Sequence, residues 1–175
     1  MTSRLRIDLF TFALGALALL AVLFFEARNG AAVAMCVLCF AGLMAARLAG
    51  FSNRALVPLT IGLVAILWMV WIDPPSTSRR TSALAHGLGG VLVGWALADY
   101  LRARISWPGW GLVALTAVLA VTVLWELGEL FVDSAFDTSL RPNAADSVED
   151  ILLGALGGSG AVAAAWLLAP RRTRD

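Results

Sequence analysis

The chain has no lysine, so its thirteen basic residues are all arginine, and only 14% of its 175 residues are charged. A formal net charge of +1 removes the basic footprint that nucleic-acid binding needs and the acidic one that a basic partner would read. One histidine and two cysteines exclude bis-histidine haem ligation and a four-cysteine zinc site built from this chain alone. Without lysine there is no phosphate-binding Gly-x-x-x-x-Gly-Lys loop, and neither a Gly-x-Ser-x-Gly elbow nor a His-Glu-x-x-His pair occurs.

What is present is apolar. Hydrophobic residues make up 60% of the chain and the mean hydropathy is +0.84, well beyond the usage of a soluble domain. Six runs approach the ~20 residues that span a bilayer: approximately 9–25, 31–46, 55–72, 83–101, 111–132 and 148–169. Each is bounded by charges or turn residues, and the second is the shortest. Arg4 and Arg6 before the first run imitate a secretory signal. Met35 before Cys36 is too large for a lipoprotein cleavage box, and the first run reads as a retained helix. The expectation is an all-α polytopic bundle of about six helices in a single membrane domain over residues 1–175, with the lipid bilayer as its first partner.

Arginine placement orients it. Arg4, Arg6, Arg47, Arg54, Arg102, Arg104, Arg171, Arg172 and Arg174 fall on one side, against Arg28, Arg79, Arg80 and Arg141 on the other. The positive-inside rule then puts both termini in the cytoplasm of a cell with an inner (plasma) membrane. Trp68, Trp71, Trp107 and Trp110 suit interfacial belts, and ordinary packing contacts would suit them equally. Gly90 with Gly94, and Gly154 with Gly158, form small-xxx-small pairs for close helix approach. Cys36 and Cys39 lie within an apolar run and read as small packing residues, with redox exchange or metal binding as the alternative.

Acidic residues carry the functional signal, because seven of the twelve crowd between residues 126 and 150 beside a single arginine, Arg141. Glu126 and Glu129 interrupt an apolar run three residues apart and so share a helix face, which Asp133 extends if the helix continues. Carboxylates at that depth are rare unless they line a cavity, pair with cations or bind a metal. Asp146 and Asp150 share a face at the start of the sixth run, where the helix dipole alone would also favour an acid. His86 opens the fourth run. The topology brings all five to the extracytoplasmic face, a donor set suited to a hard or borderline divalent cation. Asp137 and Glu149 read as merely solvated.

The order His86-x-x-x-Gly90, then Glu126 and Glu129, then Asp146-x-x-x-Asp150-x-x-x-Gly154-x-x-Gly157 resembles the pattern of the VanZ-like membrane proteins, and its last spacing is most similar to the YjdF-like inner-membrane branch. The resemblance covers about 83–160. It departs in carrying Gly154 where asparagine is usual, Asp146 where the first aspartate would fall at Ser147, and a shortened stretch at 138–145. It implies a helical protein of the cell envelope and brings no settled reaction.

Two functions remain. One is metal- or carboxylate-assisted hydrolysis or group transfer on a lipid-linked substrate, with Glu126 or Glu129 as general base and His86 as ligand or proton carrier. The other is a non-enzymatic envelope accessory protein or small transport subunit that uses the same cluster for helix packing or partner binding.

Overall fold

The computed structural model describes residues 9–27, 29–72, 79–106, 109–137 and 144–168. Arg4, Arg6, Arg28, Arg141, Arg171, Arg172 and Arg174, which bear on orientation, lie outside them, as do Trp107 and parts of the loops after the third and fifth helices.

Six helices follow one another: α1 (Leu9–Glu26), α2 (Gly30–Leu48), α3 (Asn53–Ile72), α4 (Arg79–Arg102), α5 (Gly109–Phe136) and α6 (Ala144–Leu168). The last five are long and apolar enough to cross a membrane. Large apolar side chains such as Phe12, Leu119, Leu124 and Leu156 face outward. That is the expected inversion when lipid rather than water is the solvent. Among the described residues α1 spans 18 residues and α2 19. Asn29 starts α2 by accepting the Ala32 N–H at 3.0 Å. At the other end Gly50 N–H donates to Arg47 O and Phe51 N–H to Ala46 O, the two bonds of a Schellman motif. Gly50 supplies the positive φ of 89° that this ending requires.

The packing divides into two halves. The core of one half is built from α1, α2 and α3 and reaches Ala96 and Val132; the other core joins α4, α5 and α6 around Val118, Ala114, Ala98 and Val162. α4 and α6 make the most extensive contact in the molecule. The reason is legible residue by residue: a Cβ on Gly90 would overlap the Gly154 carbonyl, one on Gly94 that of Gly158, and one on Gly157 that of Gly87. Backbones that touch gain dispersion contacts that larger side chains would block.

At the end of the bundle where α2 and α4 finish, the α2–α3 turn is tied to α4. Phe51 stacks on Tyr100 with ring centroids 4.0 Å apart. Ser52 Oγ donates to Asp99 at 2.9 Å, Tyr100 Oη to Ala49 O at 3.2 Å, and Arg104 to Gly50 O at 3.0 Å. These bonds join the two halves at one end. At the opposite end the halves part around a cavity.

Trp110 makes the packing contacts that are the alternative to an interfacial role. Only 3% of it is exposed, and it packs between α5 and the α4–α6 pair.

Candidate metal centre

The site sits at the end of the bundle where α4 and α6 begin and α5 approaches its close. His86 follows Ser82 by one turn of α4, Glu126 and Glu129 lie on one face of α5, and Asp150 lies in the second turn of α6. Glu126, Glu129, Asp150 and Ser82 are all buried and His86 is nearly so. Burial of the two glutamates toward α4 and α6, away from lipid, is what the cost of a carboxylate in hydrocarbon demands.

The imidazole is the hub. His86 Nδ1 lies 3.0 Å from its own helix's Ser82 carbonyl and 3.2 Å from Asp150 Oδ1. Ser82 Oγ donates to both oxygens of Asp150 at 3.0 and 3.1 Å. On the other side of the ring, Nε2 faces Glu126 Oε1 at 3.3 Å and Glu129 Oε1 at 3.6 Å. Trp125 Nε1–H fixes Glu129 by donating to the same oxygen at 2.8 Å.

Acceptor chemistry assigns the ring. A carbonyl and a carboxylate only accept, so Nδ1 carries a hydrogen. In the neutral ring Nε2 then presents a lone pair to two carboxylates, and it makes no aligned hydrogen bond to either. Lone pair against lone pair is repulsive. The arrangement calls for a positive charge there, either a proton on Nε2 or a cation between the three side chains.

One donor atom each from His86, Glu126 and Asp150 lies within 4.8 Å of the others. Glu129 adds a fourth group at 3.6 Å from the histidine. Asp146 is one turn nearer the helix start, half-buried, and stands outside that close group. Asp133 is half-buried on the last full turn of α5, which does continue beyond the apolar run. Glu149 is paired with Arg79, both partly exposed at the rim, so it is a surface ion pair rather than a solitary solvated acid.

Sequence reasoning missed Ser82 and Trp125. Each stands four residues before a site residue, Ser82 before His86 and Trp125 before Glu129, so helical spacing places it on the same face. A hydroxyl or indole at that spacing is common in any helix and carries no signal until the neighbouring helix is in place.

Beside the cluster lies a cavity of about 460 Å³, walled by the second half of α3 and α5 and the first half of α2 and α4. Its ionisable groups are His86, Glu129 and Asp150, with Ser82, Asn29, Thr122 and Trp125 also on its wall, and the rest of the wall is largely apolar.

The chain matches no protein-family model, no curated protein and no solved structure.

Proposed function

We propose that the chain is a VanZ/YjdF-like cell-envelope protein of the inner membrane that holds a divalent cation on its extracytoplasmic side and uses it to hydrolyse, or transfer a group on, a lipid-linked substrate. One observation carries the reading: His86 Nε2 confronts Glu126 and Glu129 while its Nδ1 is engaged by Ser82 and Asp150. A tetrahedral ion with ~2.0–2.2 Å bonds has ligand-to-ligand edges of about 3.3 Å. The separation of 3.3 Å from Nε2 to Glu126 matches such an edge, and Glu129 stands at 3.6 Å from the same nitrogen.

His86 Nε2, Glu126 and Glu129 are the residues that would hold the ion. The hydrogen on Nδ1 faces the Ser82 carbonyl at 3.0 Å, and Asp150, 3.2 Å from the same nitrogen and steadied by Ser82, favours that tautomer and direction of the ring, as carboxylates behind metal-ligating histidines do. Asp146, one turn before Asp150 on α6, adds negative charge that favours a cation nearby. When bound, the ion supplies Lewis-acid polarisation of a phosphoryl or carbonyl oxygen and an acidified water. Trp125 fixes Glu129 by donating to it, and the apolar walls of the bundle limit access of bulk water.

The accessory-subunit reading, with the cluster serving only to hold helices together, is the weaker one. α4 and α6 already meet backbone to backbone through Gly87, Gly90, Gly94, Gly154, Gly157 and Gly158. Metal analysis of the purified protein beside Glu129→Ala tests the proposal, together with turnover assays on lipid-linked phosphoesters. A stoichiometric divalent ion in the wild type that is lost in the variant supports it. A metal-free wild type after purification without chelator, which also fails to take up added zinc, manganese or magnesium, refutes it.

A further inference from the structure

The cavity has the polarity of a single membrane leaflet. Its charged end is the Ser82, His86, Glu129 and Asp150 cluster, and its far end is formed by Cys39, Leu63, Val93 and Val118, each near the middle of its own helix. From Ser82 to Val93 along α4 is roughly 16 Å at ~1.5 Å per residue. That is about half of a ~30 Å hydrocarbon core. A lipid resting in the outer leaflet places its headgroup at the interface and its chain toward the midplane, so it matches the cavity in both length and direction. The volume of about 460 Å³ lies within the range of small-ligand sites, and the polar groups gathered at one end supply orientation.

We infer that this cavity binds a single-chain amphiphile, with the hydrocarbon chain directed inward between α2, α3, α4 and α5 and the reacting head at His86 and Glu129. The inference rests on the proposed site and names the class of substrate it takes: one long acyl or isoprenoid chain, rather than the two chains of a bulk phospholipid. Gly89 gives a clean way to block it. A Cβ there meets nothing nearer than Ile66 Cδ1 at 4.0 Å, whereas one on the neighbouring Gly90 would overlap the α6 backbone. A larger side chain at Gly89 enters cavity space and leaves the α4–α6 contact intact.

The experiment uses the full chain in detergent, with two probes carrying a chain-terminal diazirine: a palmitoyl lysophospholipid and farnesyl phosphate. Photolabelled residues are mapped by mass spectrometry, and the metal content of the same samples is measured. Labelling should concentrate on mid-depth wall residues such as Cys39, Leu63 and Val118, resist competition by a two-chain phospholipid, and fall about tenfold or more in Gly89→Leu. Val93→Phe serves as a second block should Gly89→Leu fold poorly. The more strongly labelling probe identifies the acyl or isoprenoid source. Labels confined to outward-facing side chains such as Leu119 and Leu124, or undiminished in both variants, would overturn the inference. Ion retained with no cavity labelling refutes the chain site alone, and cavity labelling without any ion refutes the metal reading alone.

Discussion

Asp150 and His86 approach each other across the α4–α6 contact at 3.2 Å, Oδ1 to Nδ1, with Ser82 bonded to the same carboxylate. This pair sits one turn beyond the place where Gly90 meets Gly154. The glycine contact therefore sets how close the carboxylate comes to the ring, and backbone packing and site chemistry share one element.

Removing a ligand and removing its support should differ in degree. Glu126→Ala or Glu129→Ala should abolish stoichiometric ion binding. Asp150→Asn should leave it weaker by about 10–100-fold, the usual effect of losing a partner behind a histidine ligand. Isothermal titration with the ion, alongside a thermal melt to confirm folding, distinguishes the two. Asp137 is the fitting control, and asparagine the fitting replacement, because its φ of 51° is a conformation alanine would resist. Asp137→Asn should leave affinity unchanged.

Binding should weaken as the pH falls. The ion requires ionised Glu126 and Glu129 and an unprotonated His86 Nε2, so protons compete with it for the same atoms. A titration series from neutral to acidic pH should show the affinity decline without loss of helicity. Affinity that rises on acidification would contradict the ligand set.

The glycine faces predict opposite outcomes within one turn of α4. Gly90→Val must force α4 and α6 apart and should cost more than the ~1–3 kcal/mol typical of overpacking. Gly87→Ala meets nothing within 4 Å of its added Cβ and should be neutral, or stabilising by up to about 1 kcal/mol through helix propensity. Detergent unfolding monitored by circular dichroism reads both.

At the other end of the bundle, Gly50→Ala should destabilise by about 1 kcal/mol or more, because a side chain is strained at a φ of 89°. Ion affinity should not change, since the turn lies at the far end of α2 and α4. A parallel loss of affinity would show that the two ends are coupled.

Reporter fusions after Arg104 and after Asp175 should register cytoplasm, and insertions in 73–82 and 133–147 the opposite side. Reversal in the last of these loops would move the carboxylate cluster to the cytoplasmic face and remove the extracytoplasmic site.

By itself the sequence determined the six apolar helices, the glycine faces and the five ionisable residues at one end of the bundle, because hydropathy and three- or four-residue spacing are properties of a single helix. It also placed Glu126 and Glu129 on a buried face, since a carboxylate in an apolar run has no other tolerable direction. Tertiary structure alone decided the rest. Which nitrogen of His86 faces which carboxylate, the parts played by Ser82 and Trp125, the burial of Trp110 and the cavity between the two halves all depend on the distance and rotation between helices far apart in the chain. Those quantities are set by side-chain and backbone packing across α2–α5, α3–α4 and α4–α6, and no local periodicity encodes them.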